Sequence, residues 1–483
     1  MNFVGPPIDW YLISPLLVLL GGALLLLLGG ALTPKWPHGL YAAVTATTVG
    51  AALVLMVLKW SDLENAQYIV DNALVVDRFG VLAAIAMLGA LLLVTLVMND
   101  HLGQTGEDAP EPYGLMVTSI IGGILMVFAN DFVVMFLGLE IMSLSFYLLT
   151  ASDRSRETSG EAGLKYFILG GFASAFFLYG VAMIFGASGS TRLTTIAEVF
   201  AGEITLDGGV MLLSGVALLL VGFAFKVSLV PFQSWTPDVY QGAPTPVTAL
   251  MASVGKVVAF AAMIRVFTDA LATRADDWRP VLWVLSVLTL VVGSALAVVQ
   301  RDVKRMLAYS SVSHAGFILV GVVAASSDAA GVRSSLTYLV VYAVLVVGTF
   351  AVVSSVAKTD DSGVSLDDLR GLAKARPALG LGITVLLLAQ AGVPLTSGFV
   401  AKFGVIQAAV GAESYALAVL AMVAAVIAAY LYLRIMVSMW LQEGDRAFDR
   451  PALGTSLVIS AAVGVTLAVG FFPDLLLGLV ESI

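Results

Sequence analysis

Glu140, Lys165, Lys226, Lys256, His314 and Lys402 all stand inside long apolar runs of the sequence. At mid-membrane an ionisable side chain costs at least about 2.5 to 3.5 kcal/mol, so it is rare unless it faces a cavity or a partner. Carboxylate, ammonium and imidazole groups bind and release protons, and desolvation and neighbouring charges tune how readily they do so. The chemistry open to this set is a proton relay.

Each residue also has a plainer reading. Glu140, in FLGLEIMSLSFYLL, lies about eight residues past the start of its run, roughly 12 Å deep. It is either a structural carboxylate bonded to a neighbouring helix or a proton-binding group tuned by a nearby lysine, and the cost of burial favours the second. Lys256 lies about ten residues past Pro246, roughly 15 Å deep, too far to snorkel easily. His314, in MLAYSSVSHAGFILVG beside Ser310, Ser311 and Ser313, is either a packing group or a shuttle with a near-neutral titration range. Lys165 is near the start of its run, where snorkelling competes with function. Arg265 and Arg434 sit nearer run ends and read as anchors.

Two of the lysines coincide with helix breakers. In FAFKVSLVPFQSWTPDVYQGAPTPVTALMASVGK, Lys226 precedes Pro231, and Pro237 follows. Proline lacks an N–H and its ring clashes with the carbonyl four residues back, so the helix should open just after Lys226. In LAQAGVPLTSGFVAKFGV, Pro394 and Gly398 interrupt the run shortly before Lys402. Unwound backbone at membrane depth is tolerated only against protein or a water-filled cavity, so each break would hydrate the charge beside it. The plainer reading of Pro231 is a kink used only for packing, with Lys226 snorkelling from it.

The elements that must position these groups follow from composition. Of 483 residues, 59% are hydrophobic and 12% charged, and the mean hydropathy is +0.99. A bilayer needs about 20 apolar residues per helix, and such runs follow one another from end to end. The fold class is therefore an all-α polytopic membrane protein. Spans are expected near 10–32, 39–60, 78–98, 113–129, 132–150, 162–187, 209–230, 245–271, 280–299, 303–325, 333–357, 377–411, 414–441 and 453–478, about 14 in all. The run at 377–411 is too long for one straight span and should contain a break. A short surface helix is expected within 190–208, and 98–113 and 358–376 read as the longest loops. The run from Trp10 to Thr33 lacks a cationic flank and is too long for a signal peptide, so it is expected to be the first span.

Two Pro-interrupted spans in corresponding places point to internal repeats. The expected organisation is an N-terminal three-helix segment (1–112), a first unit (113–271, spans 4–8, broken span 7), a second unit (280–441, spans 9–13, broken span 12) and a C-terminal span (442–483). The two units are expected to be inverted repeats of five helices each. Loops after odd-numbered spans carry 12 Lys and Arg, Lys304 and Lys358 among them, against 6 after even-numbered spans, Lys59 among them. The positive-inside rule then places both termini on the outer, periplasmic side of the cell membrane.

The net charge of -9 resides mainly in loops and marks no nucleic-acid partner; the chain has no cysteine, which removes thiolate-held iron–sulfur clusters and disulfides. His38 and His101 fall in loops, so no histidine cluster suggests a metal.

The segment FKVSLVPFQSWTPDVYQGAPTPVTALMASVGK resembles the signature of subunit N of proton-translocating NADH:quinone oxidoreductase, respiratory complex I, whose mitochondrial counterpart is NADH dehydrogenase chain 2. DVKRMLAYSSVSHAGF at 302–317 and GVPLTSGFVAKF at 392–403 look like two further family segments, and the span count also matches. The PDVYQGAPTPVTA core prefers subunit N over the related antiporter-like subunits. The resemblance implies that Glu140 works with Lys165 to modulate Lys226, that Lys256 and His314 continue a hydrophilic axis, and that Lys402 is the exit-side group. It also implies a translocase subunit with no cofactor of its own, the flavin (FMN), iron–sulfur clusters and quinone belonging to partner subunits. Its partners would be the other membrane-arm subunits and the lipid bilayer. Many family members carry histidine where this chain has Gln233, which is therefore left out of the site.

Two other functions remain open at this point. One is an Mrp-like cation/proton antiporter or the membrane arm of a related complex fed by a donor other than NADH, although buried lysines suit a dehydrated sodium ion poorly. The other is a non-pumping scaffold, in which the buried charges would be dispensable.

Overall fold

The computed structural model describes residues 8–202, 206–357, 364–444 and 446–483. Thirteen of its helices are long and apolar enough to cross a membrane, or up to 14 if each bent pair is one span. The first six are α1 (Trp10–Leu32), α2 (Leu40–Asp62), α3 (Arg78–Thr105), α4 (Pro110–Phe128), α5 (Phe132–Thr150) and α6 (Glu157–Ser188). A short helix α7 (Leu193–Phe200) follows, within the region expected to hold one. Then come α8 (Leu206–Lys226), α9 (Trp235–Gly242), α10 (Thr245–Leu250) and, after a π-turn at Met251–Gly255, α11 (Lys256–Arg265). The chain continues through α12 (Ala275–Val299), α13 (Val303–Ala324), α14 (Ala329–Val356), the single turn α15 (Leu372–Ala375), α16 (Pro377–Ala391), α17 (Ser397–Gly411), α18 (Tyr415–Leu441), α19 (Leu453–Phe471) and α20 (Asp474–Glu481). One small hairpin, Gln67–Ile69 with Leu74–Val76, is the sole sheet among the described residues.

Aspartates account for many of the starts. Asp9, Asp77, Asp131, Asp302 and Asp328 each accept backbone N–H groups at the first turn of α1, α3, α5, α13 and α14. This satisfies donors that a helix leaves unpaired and that hydrocarbon could not. Both expected breaks are present: α8 ends at Lys226 and α9 begins at Trp235, while α16 ends at Ala391 and α17 begins at Ser397. Pro231 and Pro394 lie in these gaps. Pro237 does not break a helix; it sits in the first turn of α9, where a missing N–H leaves no intrahelical bond unmade.

Two contacts occur in matching places. Asp131, at the head of α5, pairs as an isolated bridge with Arg192 after α6; Asp302, at the head of α13, pairs likewise with Ser365 after α14. Close helix approach recurs too: a Cβ at Gly122 of α4 would meet the Gly138 carbonyl of α5, and one at Gly293 of α12 would meet the Ser313 amide of α13. The span of α10 and α11 and the helix α13 are the most enclosed of all and form the centre of the bundle.

Several loop assignments change. Helix α3 runs on to Thr105, so the expected loop at 98–113 shrinks to 106–109 and His101 is helical. Lys59 and Lys304, assigned to loops, are buried in helices: Lys59 donates to the Tyr11 carbonyl and Ser14 Oγ, and Lys304 to the Ala243 carbonyl at 2.8 Å. Lys358 lies outside the described residues. Arg265 is an interior tie and not an interfacial anchor, bonded to Asp77 at 2.8 Å and to the Val127 carbonyl at 2.9 Å.

Candidate functional site

Lys226 ends α8 as the helix opens. Its Nζ donates to Ser143 Oγ at 2.6 Å and lies 5.4 and 5.6 Å from the ring centroids of Tyr147 and Tyr166, within cation–π range. Glu140, Ser143 and Tyr147 follow one another at helical spacing, so α5 presents one polar face here. The Glu140 carboxylate acts on the Lys226 ammonium through space. Its Oε1 is buried and has no hydrogen-bond partner among the described residues. Gly170 of α6 leaves the space that the Tyr147 hydroxyl occupies.

The backbone freed by the break is reused. Phe225 O accepts from Trp235 Nε1 at 3.0 Å, Val230 N donates to Thr289 Oγ1 at 3.0 Å, and Thr236 Oγ1 bonds Ser228 Oγ at 2.7 Å. Trp235 also stacks on Tyr166 at 4.6 Å, fixing the start of α9 against α6. The Val227 carbonyl takes a different partner, Lys256 Nζ at 3.3 Å. Lys256 begins α11 directly after the π-turn, a feature often found at functional sites.

Lys256 Nζ also donates to the Ser311 carbonyl on α13, and Ser311 Oγ accepts from Tyr342 at 2.8 Å. One turn on, both ring nitrogens of His314 meet hydroxyls: Nδ1 with Tyr338 at 2.7 Å and Nε2 with Tyr432 at 3.0 Å. Tyr432 continues to Ser310 at 2.6 Å. Hydroxyls donate and accept, so this cluster can pass a proton in either direction. The ammonium groups of Lys256 and Lys402 both lie within electrostatic reach of the His314 ring.

Lys402, on α17, donates to the Ala391 carbonyl at 3.1 Å, the last residue of α16, and lies 4.7 Å from the Phe317 ring. Like Val227, Ala391 sits at a break and offers a carbonyl to a lysine from another segment. Nearby, Gln390 is buried and donates to Thr349 Oγ1 at 2.6 Å.

The structure thus brings Glu140, Lys226, Lys256, His314 and Lys402 into one row from α5 to α17. Lys165 stands apart from it. Its side chain is 42% exposed and bonded to Glu161 at 2.6 Å and Asp238 at 3.1 Å. It is the next residue, Tyr166, that faces Lys226. Asp238 in turn meets Arg305 at 2.6 Å, so α6, α9 and α13 are braced together at this end. The sequence reading missed Ser143, Tyr147, Tyr338, Tyr342, Tyr432 and Gln390. Their signal was present as helical spacing from Glu140 and as the pair Tyr338 and Tyr342, but hydroxyls in apolar runs carry no charge to draw notice.

Comparison with known proteins places this arrangement in a family. Residues 129–428 match the family described as NADH:quinone oxidoreductase/Mrp antiporter, TM. A relative named NADH-quinone oxidoreductase subunit N from Thermobifida fusca (strain YX) is 41% identical, covering 97% of this chain and 91% of its own. Another of that name from Mycobacterium tuberculosis (strain ATCC 25618 / H37Rv) is 39% identical, covering 100% and 99%. Among solved structures, a chain of respiratory complex I from Thermus thermophilus with bound aureothin is 31% identical with a TM-score of 0.81, covering 96% of this chain and 98% of that one. A chain of the Mrp complex from Dietzia sp. DQ12-45-1b has a TM-score of 0.84 at 22% identity, over 98% of this chain and 96% of its own, a likeness of fold. By full-length identity with these relatives, the chain belongs to the NADH-quinone oxidoreductase subunit N family.

Proposed function

We propose that this chain is a membrane-arm subunit of a proton-translocating NADH:quinone oxidoreductase. It moves protons along Glu140, Lys226, Lys256, His314 and Lys402 while electron transfer takes place in partner subunits. The flavin, the iron–sulfur clusters and the quinone belong to those partners, and the other membrane-arm subunits flank this chain in the bilayer. Pro231 and Pro394 open the helices beside Lys226 and Lys402.

The observation that carries this reading is the shared break: α8 ends at Lys226, and the carbonyl of the next residue, Val227, holds Lys256 Nζ from another helix. Any shift of the unwound segment beside Lys226 therefore moves the carbonyl that holds Lys256, and the Lys256 charge acts on the His314 ring. A change in the charge at Glu140, which acts on Lys226, is thereby passed towards Lys256 and on to His314. Moving one charge across the membrane costs about 2.3 kcal/mol per 100 mV, a load that shifts of a few pKa units can cover.

The matching bridges at Asp131 and Asp302 support two repeat units, at 113–271 and 280–441, set in opposite orientation in the membrane. Ser143 and His314 then occupy corresponding places relative to Asp131 and Asp302, each carrying the side chain that meets the relay. The loop cations support an orientation with both termini outside. With this orientation, Lys165, Asp238 and Arg305 lie at the inner end, where Lys165 acts by bracing α9 to α6.

The test is native purification through a tag on this chain, followed by assay for NADH-driven quinone reduction and bound flavin. Activity with flavin supports the reading. Membrane partners with neither would instead indicate an antiporter or a related complex with another donor.

A further inference from the structure

A cavity of about 410 Å³ opens between the start of α16 and the start of α19. Arg376 and Arg450 line it together with the hydroxyl residues Ser456 and Ser460, while Leu379 and Ile459 supply apolar wall; no acidic residue is among its lining. Arg376 is fixed by its Nε bond to the Phe448 carbonyl at 2.8 Å. Neither arginine forms an ion pair among the described residues. No side chain caps α16, which begins at Pro377 beside Arg376, so its first-turn amides add positive potential.

The other cavities differ in the disposition of their charge. The one between α14 and α17 sets Asp328 and Glu481 against Arg333. The one near Arg265 contains its partners Asp77 and Asp269. The one beside α18 has Arg301, Arg370 paired with Asp367 at 2.5 Å, and Arg434 bonded to the Val298 and Gln300 carbonyls. The Arg376 cavity differs from these in having no acidic residue in its lining beside its two guanidinium groups and apolar walls.

We propose that this cavity binds the phosphate headgroup of an anionic phospholipid, with the acyl chains lying along α16 and α19. Guanidinium groups pair with phosphate through forked hydrogen bonds, and Ser456 and Ser460 can donate to the remaining oxygens. Leu381, Leu453 and Leu457 are exposed on the same two helices, so an acyl chain leaving the cavity meets apolar surface. That surface distinguishes a lipid from a free anion. The site lies at the ends of spans assigned to the inner side, and only its leaflet rests on the orientation proposed above.

The test is native mass spectrometry of the complex purified from its own membranes, with R450Q and R376Q/R450Q variants alongside the wild type. Basic side chains near a membrane surface contribute about 1 kcal/mol each. Retention of an anionic phospholipid should therefore fall about fivefold in R450Q and about 30-fold in the double variant. Arg450 is exposed and carries no interior bond, so R450Q keeps the test valid if loss of Arg376 disturbs folding. After delipidation, phosphatidylglycerol or cardiolipin should raise the melting temperature of the wild type more than that of R450Q, while inorganic phosphate and phosphatidylcholine should not. Equal lipid retention in wild type and variants, or equal stabilisation of the wild type by inorganic phosphate, would overturn the proposal.

Discussion

Lys256 Nζ donates to the carbonyl of Val227 at 3.3 Å, and Val227 is the residue that follows Lys226. The helix break thus does two things at once. It ends α8 so that Lys226 projects among Ser143, Tyr147 and Tyr166, and it frees a carbonyl that holds the lysine of the next span. A continuous helix would have committed that carbonyl to its own ladder.

This geometry predicts that Lys256→Met slows proton transfer through this chain by at least about tenfold, the scale expected when a positioned acid–base group is lost, and so lowers the protons pumped per NADH. The yield of this chain in the purified complex checks that the variant assembles. Quinone reduction and acidification measured together in inverted vesicles check the ratio.

Gly170 provides a test without any charged residue. A Cβ there would strike the Tyr147 hydroxyl, and Tyr147 packs against Lys226. Gly170→Ala should lower pumping several-fold while Gly171→Ala, which meets open space, should leave it at the wild-type level. Vesicle acidification in the two variants decides between them.

His314 has a hydroxyl on each nitrogen, so Tyr338→Phe or Tyr432→Phe leaves one nitrogen without its partner. Each should cost about 1–3 kcal/mol in stability and slow proton transfer. The double variant should slow pumping by more than the product of the single effects if the cluster works as one network. Stopped-flow acidification in H2O and D2O measures this.

The sequence made the spans, both breaks and the row from Glu140 to Lys402 readable for physical reasons. Apolar length marks a span, proline marks a break, and charge in hydrocarbon is too costly to be incidental. The contacts around the row were less readable. Tyr338, Tyr342 and Tyr432 converge on His314 and Ser311 from two helices far apart in the chain, and no local pattern announces such convergence. Lys59 and Lys304 show the opposite error: each is close enough to a span end to read as a loop cation, yet packing encloses both. Lys165 differs again, since depth along a helix does not reveal that its side chain pairs with Glu161 and Asp238. Arg265 reads as an anchor for the same reason.

Arg265 is 4% exposed and tied to Asp77. Removing one partner of a buried ion pair costs about 3–5 kcal/mol. Arg265→Ala should therefore lower the thermal stability of the purified complex and the yield of this chain in membranes. Arg192→Ala, at a largely exposed pair with Asp71, should shift stability by less than about 1 kcal/mol.

The central claim is that Lys226 is a proton-carrying group whose charge is set by Glu140. The most direct measurement is the number of protons pumped per NADH oxidised by the native complex bearing Lys226→Met, with Glu140→Gln beside it. The account predicts full assembly, continued NADH oxidation and a sharply lower ratio in both. A wild-type ratio in Lys226→Met would contradict it and assign this chain a scaffolding role.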